Sequence, residues 1–406
     1  MKIGVIGGGA AGFFGAIRAA EKNPNAEVIL MERTSKLLGK VRISGGGRCN
    51  VTHACLDNAI LVHNYPRGSR EFRGPFEQFS VKDTIEWFKK RGVKLKTEAD
   101  GRMFPTTDNS ETIAQCLLNA ADETGVKILL STGVDKIIPK ANVGFEVQVH
   151  TGKTMYFDKL LIAAGGGPKE SFFDWLKELG HTIITPVPSL FTFNLPKHPL
   201  NNLMGVSVEN ALVTVEGTKL EQSGPLLITH WGLSGPAILK LSAWGARILA
   251  EKQYKFTIKI KWLPLLKEDE LRQQINNLKQ ENNKKQMASF APFGLPSRLW
   301  KWMLQHNSIN EEMRWADLSK KDINLLVETL LQTRLEVQGK STFKEEFVTA
   351  GGISLKDIDL KTFESKKCPG LYFAGEVLDI DGVTGGFNFQ AAWTGSYIAG
   401  TNMVRQ

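Results

Sequence analysis

The sequence predicts an α/β fold in which a domain built on a parallel sheet is interrupted by an insert of different character. Three observations support this prediction. The first 32 residues follow a strand–helix–strand pattern, and a helical crossover of this kind joins parallel strands. At residues 185–188 (TPVP) the chain becomes extended, and beyond them strand patterns dominate. Near the C-terminus, a strand at 370–374 followed by a helix at 388–403 repeats the strand–helix order of the first residues.

The first domain is predicted to span residues 1–187. Its opening strand ends in a glycine-rich turn, and the helix that follows is rich in alanine and other small residues. The apolar run LLIAA is typical of a strand that is buried on both faces. The spacing of apolar residues predicts strands at 2–7, 27–32, 145–150, 154–157 and 160–164, and helices at 10–21, 83–91 and 112–125.

The insert is predicted as a β-rich subdomain at 188–265 followed by a helical subdomain at 266–346. Residues 347–406 then return to the first domain. Apolar and polar residues alternate over 255–262, which is the period of a half-buried strand. In the helical subdomain, apolar residues recur at helical spacing as far as residue 338, and Ser319-x-x-Asp322 resembles a capping box.

The composition is that of an ordinary globular protein, since 42% of the 406 residues are hydrophobic and 23% are charged. A net charge of +9 can attract nucleic acid or a membrane surface, but the basic residues are scattered, so neither partner is predicted. The N-terminus runs directly into a strand, four cysteines do not make a disulfide framework, and no apolar run reaches the ~18 residues of a membrane span. We expect a cytoplasmic protein, and its oligomeric state stays open.

Gly7-x-Gly9-x-x-Gly12 stands between the first strand and the first helix, where a dinucleotide-binding fingerprint is found. The first glycine allows a tight turn, the second lets the backbone approach a pyrophosphate, and the third lets the helix pack closely on the sheet. The phosphates would face the positive end of the helix dipole. Glu32 ends the second strand and is suited to accept hydrogen bonds from a ribose. These features together predict a bound dinucleotide.

Three later segments favour FAD over NAD. LLIAAGGG (160–167) is a buried strand that ends in glycines, and GLYFAGE (370–376) is a strand that ends in glycine and an acid. DIDGVTGG (379–386) leads into the last predicted helix. The N-terminus of that helix would bring backbone donors and a positive dipole to the N1/O2 edge of a flavin. A simple NAD dehydrogenase does not need a C-terminal segment that returns to its first domain.

Six segments together resemble the BaiN/YhiN-like family of bacterial FAD-dependent oxidoreductases, also labelled aminoacetone-oxidase-like. The resemblance implies FAD in a Rossmann-type domain related to the glutathione reductase and fumarate reductase flavoproteins, with an insert made of a small β-barrel and a helical part. Reduction of bile-acid-like enones and oxidation of amines have both been attached to the family. One departure is the segment PKESFFDWLKELGH, which stands where a glycine-rich stretch is usual. The matching segments are GVIGGGAAG, SGGGRCNVT, GRMFP, THWGLSGPAIL, VTAGGISL and GLYFAGEVLDIDGVTGGFNFQAAW.

The fingerprint, the later segments and the resemblance give one set of candidate cofactor-binding residues, and no metal site is predicted. The set consists of Gly7, Gly9, Ala10, Ala11, Gly12, Glu32, Arg33, Lys40, Ser44, Gly45, Gly46, Gly47, Arg48, Cys49, Asn50, Val134, Ala163, Ala164, Gly165, Gly375, Glu376, Asp379, Gly385, Gly386, Phe387, Asn388, Phe389 and Gln390.

The stretch SGGGRCNVTHAC raises the alternative of a redox-active dithiol. Disulfide reductases separate their two cysteines by four residues on a helix, whereas Cys49 and Cys55 have five residues between them. Such enzymes also need a second complete nucleotide domain, which the sequence lacks. We therefore favour a loop in which three glycines approach the cofactor and Arg48 neutralises a pyrophosphate or a substrate anion.

Candidate catalytic residues are His230, Arg48 and Ser234. His230 can titrate near neutral pH and exchange a proton during hydride transfer, although capping a strand end is the alternative role. The predicted function is hydride transfer between FAD and a small amine or conjugated carbonyl, with NAD(P)H or O2 as redox partner. A flavin-dependent tRNA-modifying protein and a redox-sensing flavoprotein without turnover stay open as alternatives.

Overall fold

The computed structural model describes residues 1–140, 144–167, 169–341 and 348–405. The chain packs as two units, Met1–Ser189 with Phe343–Gln406, and Leu190–Thr342. The domain boundary that the sequence predicts at 346/347 lies outside the described residues. Among the described residues, no helix is both long enough and apolar enough to cross a membrane.

The N-terminal part of the first unit alternates strands with helices. Its strands are β1 (Lys2–Ile6), β2 (Glu27–Met31), β3 (Thr52–His53), β4 (Leu95–Thr97), β5 (Arg102–Pro105), β6 (Lys127–Leu129), β7 (Val134–Pro139), β8 (Phe145–Val149), β9 (Thr154–Phe157), β10 (Lys159–Ile162) and β11 (Ile183–Ser189). Its helices are α1 (Ala10–Lys22), α2 (Gly39–Gly47), α3 (Asn58–Leu61), α4 (Arg73–Gln78), α5 (Val81–Lys90), α6 (Ser110–Glu123) and α7 (Asp174–Lys177).

The second unit and the C-terminal part of the first unit complete the chain. The second unit holds β12 (Thr192–Asn194), β13 (Ser207–Val215), β14 (Glu221–Thr229), β15 (Gly232–Ser234), α8 (Pro236–Trp244), α9 (Ala246–Glu251), β16 (Lys255–Lys261), α10 (Glu268–Glu281), α11 (Ser297–His306), α12 (Lys320–Gln332), β17 (Thr333–Gln338) and β18 (Lys340–Ser341). The C-terminal part holds β19 (Val348–Ile353), β20 (Ile358–Asp359), β21 (Glu364–Ser365), β22 (Leu371–Phe373) and α13 (Phe387–Asn402). Short 3-10 turns lie at Val62–Asn64, Glu170–Phe173, Pro199–Leu203, Met287–Ser289, Pro292–Gly294, Trp315–Asp317 and Leu355–Asp357.

The main sheet of the first unit has the order β20-β21-β22-β10-β1-β2-β6. Strands β22, β10, β1, β2 and β6 are parallel, which confirms the predicted α/β class. Strand β1 pairs with β2 on one side and with β10 on the other, so the order of the strands reverses beside it. In open parallel sheets, ligands bind at the carboxyl ends of the strands at such a reversal. The sheet therefore places a binding crevice just after β1.

Helices α1 and α13 pack side by side at backbone contact distance. A Cβ atom on Gly400 would stand 2.5 Å from the carbonyl oxygen of Gly15, so a larger residue at 400 would push the helices apart. Phe14 lies against Trp393 with ring centroids 5.1 Å apart, and Arg18 Nε donates to Thr401 Oγ1 at 2.9 Å. Contacts advance in the same direction along both helices, so the helices are parallel. Both therefore begin on the side of the sheet where β1 ends.

The second unit is built on an antiparallel sheet of order β17-β16-β13-β14-β15-β12-β18. Its two edge strands, β17 and β18, are separated by Gly339 alone, so the edges meet and the sheet is barrel-like. Strand β16 buries alternate residues, as its sequence predicts. The predicted capping box is confirmed, because Ser319 Oγ accepts a hydrogen bond from Asp322 N at 3.1 Å at the start of α12.

One part of the helical prediction is wrong. Residues 333–338 form strand β17, which pairs with β16 along its whole length. The sequence TRLEVQ has helix-compatible residues, but Thr333, Leu335 and Val337 are buried in alternation. This period of two distinguishes a strand from a helix, and the preceding helical pattern of α12 obscured it. Strands and helices are thus interleaved in the second unit, unlike the predicted order of a β-rich and then a helical subdomain.

Candidate flavin-binding site

The fingerprint after β1 contains two glycines that the fold requires, Gly7 and Gly12, and one that it does not, Gly9. Gly7 has φ +114°, and a Cβ atom there would stand 2.3 Å from the carbonyl oxygen of Ala163. A Cβ atom on Gly12 would stand 1.8 Å from the carbonyl oxygen of Gly7. At Gly9, by contrast, the Cβ position has no heavy atom of the described chain within 4 Å. Gly9 therefore borders open space, as expected where a pyrophosphate approaches the backbone.

Two helix N-termini lie on this side of the sheet. Helix α1 begins after Gly9 and α13 begins after Gly386, and within the described residues neither terminus has a side-chain cap. The first N–H groups of each helix are thus available to a ligand, and each terminus carries the positive end of a helix dipole. Two such termini form a cradle for negative charge. The residues present therefore fit a dinucleotide such as FAD.

The predicted ribose-binding end is assembled around Glu32. One carboxylate oxygen accepts from Gly8 N at 2.8 Å, and the other accepts from the backbone N–H and the hydroxyl of Thr34, each at 2.8 Å. Thr132 N donates to the carbonyl oxygen of Glu32 at 2.7 Å, which brings the start of β7 and Val134 beside this residue. Arg33 lies against the same segment, because its Cγ is 3.1 Å from the Cβ position of Gly133. The structure thus brings these three predicted residues together.

The segment after β10 borders the same crevice. Ala163 N donates to Ile6 O at 2.8 Å, and Gly7 lies against Ala163 and Ala164. Gly165 has φ +78°, and no described heavy atom lies within 4 Å of its Cβ position. Gly166 is close to the Thr349 hydroxyl, because a Cβ atom there would stand 2.5 Å from it.

Thr349 is a polar residue that sequence reasoning missed. It is fully buried, and its hydroxyl has no hydrogen-bond partner among the described residues. Its backbone N–H donates at 2.7 Å to Glu376, whose other carboxylate oxygen lies 2.5 Å from Lys40 Nζ. The predicted residues Glu376 and Lys40 therefore meet, and Thr349 adds an unsatisfied hydroxyl beside them. The segment VTAGGISL matched the family pattern, but nothing in it singled out the threonine.

The glycine-rich stretch at 44–47 is a turn, as predicted, although it continues helix α2. Ser44 has ψ 149° and Gly45 and Gly46 have positive φ, so the regular helix ends before Ser44. Gly45 packs against Phe104, whereas the Cβ positions of Gly46 and Gly47 have no described heavy atom within 4 Å. These last two glycines are thus free to approach a ligand.

The thiols do not form a dithiol centre. Cys49 and Cys55 are both free, and Cys49 is fully buried. Burial raises the pKa of the Cys49 thiol to about 12, and burial also raises the pKa of Cys55. Because the thiolate is the reactive form, Cys49 is unreactive near neutral pH. It occupies a tight turn with φ +59°, where its N–H donates to Ser44 O at 2.9 Å.

Arg48 is held by carboxylates. Its guanidinium lies 2.6 Å from Glu98 and 3.5 Å from Asp108, and it stacks over Phe104 at 4.0 Å. The hydrogen bond to Glu98 is the main cause that raises the pKa of Arg48. Arg102 likewise pairs with Glu98 and with Asp100. The predicted roles of Arg48 toward a cofactor or substrate anion stay predictions, because its described partners are protein carboxylates.

The predicted residues near the start of α13 are hydrogen-bonded mainly to neighbouring residues of the protein. With its amide oriented to satisfy its neighbours, Asn50 accepts from Gly386 N at 3.0 Å and donates to Thr52 O at 3.1 Å. Asn388 brackets Gly382 through two hydrogen bonds of 2.8 and 2.9 Å. Gln390 is fully buried and accepts from the Thr52 hydroxyl at 2.6 Å.

The remaining predicted residues of this region lie in the same loop and helix. Phe387 stacks on His53 with centroids 4.7 Å apart, and Phe389 stacks on Trp393 at 5.6 Å. Asp379 N donates to Ile353 O at 2.8 Å. Gly375 and Gly385 have φ of +77° and +137°. Together these contacts fix the backbone that precedes α13, and direct contacts of these side chains with a flavin stay predictions.

His230 and Ser234 belong to the second unit. His230 is exposed in the turn between β14 and β15. Its ring lies nearly perpendicular to that of Trp231, with the ring centroids 4.3 Å apart. Ser234 ends β15, opposite Leu227 of β14. The predicted cofactor residues lie in the first unit, so the catalytic roles of these two residues stay predictions.

The chain is similar to known proteins over nearly its whole length. Residues 1–402 match the family described as the HI0933-like protein Rossmann domain. The chain is 28% identical to the 3-dehydro-bile acid Δ4,6-reductase of Clostridium scindens, over 98% of each chain. It is also 28% identical to the ribosomal RNA dihydrouridine synthase of Escherichia coli K12, over 98% of this chain and 97% of that one.

Solved structures share the fold. The 3-ketosteroid-Δ4-(5α)-dehydrogenase of Rhodococcus jostii RHA1 has a TM-score of 0.53 at 13% identity, over 100% of this chain and 96% of that one. The 3-ketosteroid Δ1-dehydrogenase of Sterolibacterium denitrificans has a TM-score of 0.51 at 12% identity, over 99% of this chain and 98% of that one. The predicted flavoprotein fold is confirmed, and the chain belongs to the HI0933-like Rossmann family of FAD-dependent oxidoreductases.

Proposed function

We propose that the chain reduces a carbon–carbon double bond conjugated to a carbonyl group in a small organic substrate, with NAD(P)H as the electron donor. One observation carries the proposal: the two curated relatives described above are both named for reduction of this type of bond. The Δ4 and Δ6 bonds of a 3-keto steroid are conjugated to the ketone, and the C5–C6 bond of uracil is conjugated to its C4 carbonyl. Neither name denotes oxidation of an amine, the other predicted substrate type.

The proposed reaction balances as one hydride and one proton added to the substrate. The hydride adds to the β-carbon and the proton to the α-carbon, which gives a saturated carbonyl compound. The reduced nicotinamide loses the hydride and becomes NAD(P)+, and the proton comes from an acid or from water. Bound FAD supplies the capacity to carry the hydride between donor and acceptor.

The residues of this chain would bind the cofactor, orient the substrate and supply the proton. We propose that the N-termini of α1 and α13 hold the negative charge of the cofactor and that Glu32 accepts hydrogen bonds from its ribose. The other candidate residues of the first unit, Arg48 included, complete the binding surface. His230 would deliver the proton to the α-carbon, and Ser234 would donate a hydrogen bond to the substrate carbonyl, where negative charge develops.

A uracil base within RNA is a second candidate substrate. Two full-length relatives are named ribosomal RNA dihydrouridine synthase, and the second unit holds 20 Lys and Arg against 14 Asp and Glu. However, Lys259 and Arg334 on its sheet both pair with Glu216, at 3.2 and 2.7 Å, so part of this charge is compensated locally. We therefore favour the small substrate. Steep salt dependence of RNA binding would support the second candidate instead.

The proposal is tested by anaerobic titration of the FAD-loaded protein with NADH and with NADPH. We expect one of them to bleach the visible absorbance of the flavin, and a conjugated enone to restore it with a saturated product. Amines tested on the oxidised protein should leave the absorbance unchanged. Bleaching by amines but by neither nucleotide would overturn the proposal in favour of amine oxidation. Bleaching by no compound would favour a redox-sensing role.

A further inference from the structure

We propose that Arg67 is a positioning residue for the flavin: through Asp381 it fixes the loop that leads into α13, and thereby the N-terminus of that helix. The inference rests on FAD binding and not on the choice of substrate. Arg67 lies outside every motif of the fingerprint and its side chain is only 9% exposed, while Asp381 is fully buried.

The Arg67–Asp381 pair has a two-pronged geometry. Nε lies 2.5 Å from one carboxylate oxygen of Asp381, and a second guanidinium nitrogen binds the other oxygen. The Ser189 hydroxyl donates to the same carboxylate at 2.7 Å. Arg67 and Asp381 also form an isolated antiparallel bridge through their backbones. Three segments that are far apart in the sequence therefore meet at one buried carboxylate.

Stability alone is a poor explanation for such a pair. Burial raises the pKa of Asp381, and the charge of Arg67 and the hydroxyl of Ser189 oppose this rise. A buried ion pair gains little over well-packed apolar side chains of similar volume, because both charges lose their hydration. A planar guanidinium on a carboxylate does, however, define distance and direction, which an apolar pair does not. The pair is therefore suited to fix a geometry.

What the pair fixes is the loop between Asp381 and α13. Val383 N donates to Asn64 O at 2.9 Å, and the hydroxyl of Tyr65 donates to Phe387 O at 2.7 Å. Gly68 packs on Ile380, because a Cβ atom there would stand 2.9 Å from that side chain. The segment 64–68 thus contacts this loop at Ile380 and at Val383. It also contacts Phe387, the first residue of α13.

The position of this helix start matters for the flavin electronically. The positive end of a helix dipole acts only within about the first turn, so a small displacement of α13 changes the potential at the flavin. A positive end near the ring favours negative charge on the ring. It therefore raises the reduction potential and strengthens the binding of sulfite, which leaves a negative charge on the ring. Loosening the segment 64–68 should weaken both effects.

The test uses full-length FAD-loaded protein without any substrate. Arg67→Lys keeps the positive charge but loses the two-pronged hydrogen bonding of the guanidinium. Tyr65→Phe removes one hydroxyl. The double variant Arg67→Met with Asp381→Leu removes both buried charges together. Arg91→Met is the matched control, because Arg91 pairs with Glu21 at the far end of α1. The readouts are FAD content, the Kd for sulfite, and the reduction potential measured against reference dyes.

We expect Arg67→Lys and the double variant to retain FAD, to bind sulfite at least tenfold more weakly, and to have a more negative potential. Tyr65→Phe should change the sulfite Kd and the reduction potential in the same direction but by smaller amounts. Arg91→Met should change neither the Kd nor the potential. If Arg67→Lys and Tyr65→Phe both fold with the sulfite Kd and potential of the wild type, the proposal is wrong, even if the double variant fails to fold. These readouts do not depend on substrate, so they are independent of whether the chain reduces enones.

Discussion

The carbonyl oxygen of Gly7 lies 1.8 Å from the position that a Cβ atom on Gly12 would take. The carbonyl is a backbone group and a Cβ atom is bonded directly to the backbone, so neither could move without disturbing the turn. Gly9, two residues after Gly7, has no described atom within 4 Å of its Cβ position, and its φ of −92° and ψ of −171° suit alanine. The same fingerprint thus contains two glycines that the fold needs, Gly7 and Gly12, and one, Gly9, that we expect a ligand to need.

We therefore expect Gly12→Ala and Gly9→Ala to fail differently. Gly12→Ala should not reach the native fold, whereas Gly9→Ala should fold with the thermal stability of the wild-type apoprotein. Gly9→Ala should bind FAD at least tenfold more weakly, because the methyl group occupies the space of the phosphates. Circular dichroism melts and FAD fluorescence titrations measure both properties. Normal FAD affinity in Gly9→Ala would contradict the assigned position of the pyrophosphate.

Glu32 is expected to contribute to FAD affinity through hydrogen bonds to the ribose. A hydrogen bond to a charged group contributes about 1.5–3 kcal/mol, so Glu32→Ala should raise the Kd for FAD by roughly 10- to 100-fold. Glu27→Ala is the control, because Glu27 is the first residue of β2, whereas Glu32 follows its last residue, and because Glu27 pairs with Lys127 at 2.8 Å. Equal effects of the two substitutions in FAD titrations would indicate general destabilisation.

The cysteines should differ sharply in reactivity toward iodoacetamide. In the native protein at pH 8, Cys55 should be alkylated slowly, because it is partly exposed with a raised pKa. Cys49 should be protected until the protein unfolds, because its thiol is buried and its pKa is about 12. Peptide mapping by mass spectrometry measures both. Native labelling of Cys49, or a Cys49–Cys55 disulfide, would revive the dithiol hypothesis.

His181 should make the protein less stable in acid. It is buried, its ring contacts the Ser365 hydroxyl at 2.7 Å, and burial lowers its pKa from the ordinary value of 6.5. Below pH 6.5 the unfolded chain takes up a proton that the folded chain resists, so stability is present above that pH and falls as the pH falls. Thermal melts between pH 7.5 and pH 5, a range of roughly 2.5 units that spans the ordinary pKa of histidine, should show a smaller loss of stability for His181→Gln than for wild type. His63→Gln, an exposed control, should melt like wild type at each pH.

The sequence predicts the first unit well because its signals are local. The strand–turn–helix around Gly7, Gly9 and Gly12 involves neighbours in the chain, and each glycine has a steric reason that a pattern can express. Glu32 follows from its place at the end of β2. The barrel-like sheet is harder to predict, since β17 lies directly after a helix and its strand character depends on pairing with β16.

The rest of the site depends on long-range contacts. Arg67 and Asp381 are 314 residues apart, and no periodicity relates them. The Thr349 hydroxyl is buried with no hydrogen-bond partner in the part of the chain that the structure describes, and the sequence does not reveal this burial. The motif predicts that Asn388 and Gln390 contact the flavin, which stays a prediction, and the structure shows that their side chains are hydrogen-bonded to Gly382, Thr52 and Thr394. A motif indicates that a residue matters, and the packed structure indicates which partner it serves.

We propose that a carbonyl-conjugated double bond accepts a hydride in this protein, a capacity that bound FAD would supply. The most direct measurement is a single anaerobic turnover, in which photoreduced protein is mixed with a cyclic enone, the saturated ketone or an isomer whose double bond is not conjugated. We predict that the enone alone restores the visible absorbance of the flavin and gains two hydrogens by mass spectrometry. Flavin that stays reduced with every enone but is reoxidised by O2 would contradict the claim.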